Sequence, residues 1–175
     1  MKQIGLVFIF IATLSCGKFI VVDTVKDKDY AYVIESINLV LRSNMIDSLN
    51  WEIQDYIVSS EAIPFKRNGL LFRETLGSQE NKLELKPLSI EEIMNEKADL
   101  FENNLSTNPK SAFNIFFSTI FEGYYTVEIF QWYEGEKLSF KDLSLYQGES
   151  AIFLFKYLGN DKKPLLMDEA IAHYN

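Results

Sequence analysis

The chain is poor in the residues that most often carry chemistry. It has one cysteine, Cys16, and one histidine, His173, in 175 residues. For a monomer, a single thiol excludes a disulfide, Cys-ligated zinc and an iron–sulfur cluster. A single histidine excludes a His-based metal centre and leaves only carboxylate oxygens as ligands. The eight glycines are scattered at turns. They build no G-x-G-x-x-G, G-x-x-x-x-G-K-[ST] or G-x-S-x-G loop, so dinucleotide, nucleotide and serine-hydrolase chemistry have no motif here. No Asp-x-Asp-x-Asp-Gly loop supports calcium of the EF-hand type. No cofactor is expected. Basic residues are scarce too, with 17 against 25 acidic ones and a net charge of −8. Nucleic-acid binding needs a basic surface and is not expected. Electrostatic adhesion to anionic lipid is disfavoured for the same reason.

What the chain does have begins at its N-terminus. Lys2 is followed by an apolar run from Ile4 to Leu14, interrupted only by Gly5 and Thr13, and then by Ser15 and Cys16. A positive start, a greasy stretch and a small-residue exit form a secretory signal peptide. A membrane-spanning helix needs roughly 20 apolar residues, which this run does not reach.

The lone cysteine sits where such a leader is cut. Leu14-Ser15-Cys16 followed by Gly17 resembles the lipobox of bacterial lipoproteins. Leu14 stands two residues before Cys16 where three is usual, and Thr13 takes the usual leucine place. The resemblance covers residues 1–17 only. It implies lipid attachment at Cys16 and a place in the bacterial cell envelope, anchored to the membrane through the N-terminal lipid, on its periplasmic or surface face. Several acyl chains, at about 0.8 kcal/mol per buried methylene, are what stable anchoring takes. Cleavage by ordinary signal peptidase beside an unmodified Cys16 is one alternative, and a cytosolic chain with a buried hydrophobic N-terminus is another. On this reading residues 1–15 are signal peptide, 16–28 lipid attachment and tether, and 29–175 a single α+β domain.

Within that domain the hydrophobic period runs from helical to alternating. Tyr30, Val33, Ile34, Ile37, Val40 and Leu41 recur at helical spacing, and Met45 and Leu49 extend the stripe to about Asn50. Trp51 to Ile57 alternates like a half-buried strand. Asn68-Gly69, between two short apolar runs, predicts a hairpin turn, with Pro64 placing its first strand at an edge. Ser89-Ile90-Glu91-Glu92 is a capping box opening a helix whose buried face runs to Phe101 and Leu105. Pro109 fits a first helical position, with Ala112, Phe113, Phe116, Phe117 and Ile120 at helical spacing; the aromatic richness of that run also suits a strand. From Tyr124 the period is two. Tyr125, Val127 and Ile129 face one way, and Thr126, Glu128 and Phe130 the other. Further strands are expected over 138–145, 152–158 and 165–173. The fold class that follows is α+β, with N-terminal helices packed on a C-terminal antiparallel β-meander in two layers.

The candidate functional residues are few. His173 reads as a surface residue on a terminal strand. A glycosidase-like acid and base pair can be drawn from Glu128, Glu134, Glu136 or Asp142, though any acidic chain offers such pairs on a solvated face. Aromatics crowd residues 113–157. Tyr and Trp offer flat apolar faces with a polar tip, which suits sugars, peptides or protein partners. The aromatics read first as core and cross-strand pairs; Trp132, Tyr133 and Tyr125 are the candidates for a ligand surface, because they lie beside the Glu134-Gly135-Glu136 turn or on an alternating strand. The sequence therefore suggests a lipid-anchored binding module for a protein, peptide or glycan. The alternatives are an inhibitor or immunity-type lipoprotein aimed at a basic protein, and a carboxylate-based hydrolase.

Overall fold

A computed structural model describes residues 31–77, 98–99, 105–106, 112–132, 146–159 and 162–174. The leader, Cys16, the tether, the capping box at Ser89 and the expected strand at 138–145 lie outside the described residues.

The fold is α+β, built on a mixed sheet with short helices. In chain order the described elements are α1 (Ala31–Val40), α2 (Asn44–Ser48), β1 (Ile57–Val58), β2 (Glu61–Ala62), α3 (Phe65–Gly69), a 3₁₀ turn (Leu70–Phe72), α4 (Arg73–Gly77), β3 (Ala98–Asp99), β4 (Leu105–Ser106), β5 (Phe113–Phe117), β6 (Tyr124–Gln131), β7 (Gly148–Lys156) and β8 (Leu165–Tyr174). The main sheet has six strands in the order β4-β1-β5-β6-β7-β8, and β2 and β3 pair separately. The sequence suggested a purely antiparallel sheet. Strands β5 to β8 do form an antiparallel meander, but β1 joins β5 in parallel, with Ile57 opposite Asn114 and Val58 opposite Ile115. The long excursion between β1 and β5 permits this, since a parallel pair needs a crossover and not a tight turn. β6 pairs directly with β7, Tyr125 opposite Phe155 and Ile129 opposite Ala151.

Both faces of the sheet are covered, giving three layers where the sequence suggested two. On one face Tyr32, Val33, Ile37 and Val40 of α1 and Ile46 of α2 meet Ile115, Tyr125, Val127, Ile129, Phe153 and Phe155. On the other, Phe65, Phe72 and Leu76 from the α3–α4 stretch meet Tyr124, Ile152 and Leu154. This second cover explains why β5 and the first seven residues of β6 are buried throughout and do not alternate with solvent.

Four local expectations change. The helix expected over 30–50 stops at Val40, because Ser43 caps a new helix: its hydroxyl accepts from the Met45 amide at 3.0 Å and donates to Glu169 at 2.7 Å. Asn68-Gly69 is helical and not a hairpin, with Gly69 at φ −58 and ψ −26. The hairpin forms instead at Glu122-Gly123, both at positive φ (50 and 79), with Phe121 and Tyr124 exchanging both backbone hydrogen bonds. Residues 113–117 are a strand, since pairing along β6 and burial on both faces suit a Phe- and Ile-rich run. Ala98–Asp99 and Leu105–Ser106 are short strands, so the helical face expected to run to Leu105 does not reach it.

Candidate functional site

The end of the sheet where β6 stops and β7 starts carries a cleft. Its volume is about 320 Å³, and among the described residues it is lined by Trp51, Gln131, Trp132, Tyr146, Gln147, Gly148 and Glu149. Trp51 reaches it from the segment after α2, where it packs at 5.6 Å against Phe113. Trp132 follows β6 directly, held by a hydrogen bond from its amide to the Ala112 carbonyl at 2.6 Å. Both tryptophans are half-buried. They are the only two in the chain.

Tyr146 forms the inner wall. Its ring stands 6.1 Å from Trp132 and edge-on to Phe130 at 4.8 Å. Its hydroxyl donates to the Glu149 carbonyl at 2.7 Å. This folded-back pose needs Gly148, which sits at φ +141 and whose absent Cβ would lie 3.0 Å from the Tyr146 hydroxyl. Glu149 is the one charged residue among these lining residues. Its side chain is half exposed and lies 3.2 Å from Nδ1 of His173.

Behind Tyr146 lies a buried polar network centred on Glu128, which is fully enclosed in the middle of β6. Oε2 accepts from Arg67 Nη1 at 2.5 Å and from Asn68 Nδ2 at 2.7 Å. Oε1 accepts from Ser150 Oγ at 2.7 Å and from the Tyr174 hydroxyl at 2.6 Å. Arg67 also donates to the Tyr174 hydroxyl at 3.2 Å and lies over that ring at 5.4 Å. Burial alone would lower the Arg67 pKa, but the Glu128 charge, Tyr174 and the hydrogen bonds to both together outweigh it and hold the guanidinium above its ordinary value. Burial first, then the Glu128 charge, pushes the Tyr174 phenol up.

Each carboxylate oxygen of Glu128 thus has two donors and no route to solvent. A general acid or base must reach a substrate proton, and this group is committed to holding α3 and β8 against β6. Glu134, Glu136 and Asp142 lie outside the described residues. No group of three or more possible metal ligands occurs among the described residues.

Of the expected ligand surface, Trp132 lines the cleft and Tyr133 lies outside the described residues. Tyr125 belongs to the core instead. It is fully buried, stacked on Phe155 at 5.4 Å, and its hydroxyl meets Ser36 Oγ at 2.6 Å. Alternation put it on a face, and α1 covers that face.

Comparison with protein-family models, curated proteins and solved structures finds no match.

Sequence reasoning missed Trp51 and Tyr146 as partners of Trp132. They lie far apart in sequence, and only the return of β7 along β6 brings Tyr146 back to Trp132. The Tyr146-Gln147-Gly148-Glu149 turn was the available signal, since a glycine beside an aromatic often marks a close approach. His173 is exposed on β8, as the sequence suggested.

Proposed function

We propose that this is a small lipid-anchored protein of the bacterial cell envelope that binds a peptide or glycan in the cleft between Trp51, Trp132 and Tyr146. The cleft carries the binding part of this reading. Flat rings with polar tips and two neighbouring glutamines, Gln131 and Gln147, supply the mixture of apolar area and hydrogen-bonding groups that ligand sites use. The anchoring part rests on Leu14-Ser15-Cys16-Gly17. Among the described residues no helix is long and apolar enough to cross a membrane.

A second reading is an inhibitor or immunity-type lipoprotein that blocks a basic protein, favoured by the net charge of −8.

The anchor is tested by the intact mass of the mature protein in detergent, beside a Cys16→Ser variant. A chain starting at Cys16 with added acyl mass, lost in the variant, is expected; an unmodified mass cut near residue 15, or one retaining Met1, overturns the anchor. The cleft is tested by intrinsic fluorescence, because both tryptophans line it. A saturable change with neutral peptides, N-acetylglucosamine oligomers or a capped Gly-Arg-Gly peptide, and lost in Trp132→Ala, supports the cleft as a site. No saturable change with any of them removes it.

A further inference from the structure

We infer that the cleft recognises a cationic side chain, a guanidinium or alkylammonium, presented by a basic peptide segment; this rests on the cleft being a binding site. Three aromatic residues, Trp51, Trp132 and Tyr146, contribute to one recess. Aromatic faces attract cations through the ring quadrupole, tryptophan most strongly. Glu149 supplies a carboxylate at the same recess, and no lysine or arginine is among its described lining residues. The Glu149 and Gln131 carbonyls both face the Tyr146 hydroxyl, at 2.7 and 3.4 Å, so that donor is already engaged inside the protein. The described lining therefore offers a positive group rings and a carboxylate, which an incoming cation would share with the exposed His173 imidazole at 3.2 Å, while an anion would meet Glu149 with no lysine or arginine among those residues. The chain's acidic excess steers the same class of partner toward it.

A peptide is favoured over a small free cation by the site's surroundings. The recess opens beside Gly148 and Glu149, the first two residues of β7, which are both exposed. Space beside the recess is therefore open to the main chain that carries the side chain. Tyr146 is preset for the role, because Phe130 and Tyr174 hold its ring edge-on at 4.8 and 5.7 Å, and Tyr174 is fixed in turn by Glu128. A preset aromatic wall loses little freedom on binding.

The test is a fluorescence titration of the purified full-length protein with a capped Gly-Arg-Gly peptide and with its citrulline counterpart, which is neutral and nearly the same shape. The arginine peptide is expected to give a saturable change and to bind about tenfold more tightly than the citrulline peptide. Glu149→Gln should weaken the arginine peptide by about five- to tenfold and leave the citrulline peptide unchanged. Glu74→Gln, which removes the same charge from the exposed surface of α4, should behave as the wild type. Equal binding of the two peptides, or a response only to N-acetylglucosamine oligomers, overturns the cation and leaves the cleft as a site for neutral ligands. Equal weakening by Glu149→Gln and Glu74→Gln assigns the effect to diffuse attraction and also overturns it. No saturable response to any probe removes both the inference and the binding cleft.

Discussion

At the scale of single residues, Glu128 is the most consequential side chain in the described structure. A carboxylate enclosed in a sheet is tolerable only when its charge is matched and its oxygens are fully bonded. Arg67 supplies the charge, and Asn68, Ser150 and Tyr174 complete the hydrogen bonds. Removing one partner of a buried pair typically costs about 3–5 kcal/mol, because the other charge stays buried alone. Glu128→Gln keeps the shape but turns an amide nitrogen toward donors. It is therefore expected to lower the unfolding free energy, measured by urea titration, by an amount in that range. An Arg67→Met/Glu128→Leu double variant, with no charge left stranded, should lose less than either single change. A loss below about 1 kcal/mol in Glu128→Gln would mean that the pair behaves like one in water. None of this was visible in the sequence. Glu128 occupied a position in an alternating strand where a glutamate normally faces solvent, and its partners come from residues 67, 68, 150 and 174.

At the scale of elements, the long strands are legible in the sequence and the short local signals are less so: Trp51 to Ile57 alternates like a strand, yet only Ile57–Val58 pairs as one. β6, β7 and β8 announce themselves by alternation or by an unbroken apolar run. The start of α1 is equally plain from its stripe. Its end is not, because Ser43 can sit inside a helix or cap the next one, and its bond to Glu169 tips the choice. Asn68-Gly69 is the clearest misreading. Gly69 is used for space and not for positive φ, since a Cβ there would lie 2.7 Å from Cε1 of Phe65. That ring is 1% exposed and stacked on Phe121 at 5.8 Å, so it has little room to withdraw. Two effects oppose each other in Gly69→Ala. Alanine gains up to about 1 kcal/mol of helix propensity, while overpacking costs about 1–3 kcal/mol. A net loss of stability by chemical denaturation is expected. A more stable variant would show that Phe65 can move aside. In Glu122-Gly123 the same reasoning runs the other way, because there positive φ is what the turn uses.

At the scale of the whole molecule, the sheet is the middle of a sandwich, and each of its faces buries a tyrosine hydroxyl in a polar contact. Tyr125 bonds Ser36 of α1 on one side, and Tyr174 bonds Glu128 beneath α3 on the other. Burial raises the pKa of Tyr125 well above the ordinary 10.0, outweighing the Ser36 hydrogen bond that lowers it, and it raises Tyr174 and Tyr56 as well. The sign of the pH effect follows. A phenol with a raised folded pKa favours the folded state fully below the unfolded value, and that advantage is lost as the pH climbs above it toward the folded value. Stability should therefore be flat with respect to these groups at neutral pH and fall once the pH passes about 10. Their phenolate absorbance should appear together with loss of the circular-dichroism signal and not before it. Tyr125→Phe tests the coupling with least damage, since Ser36 Oγ still donates to the Tyr32 carbonyl at 2.6 Å. Its alkaline unfolding midpoint should move to higher pH. An unmoved midpoint would place the trigger at Tyr56 or at Tyr174 on the opposite face, where ionisation would set a second negative charge against Glu128.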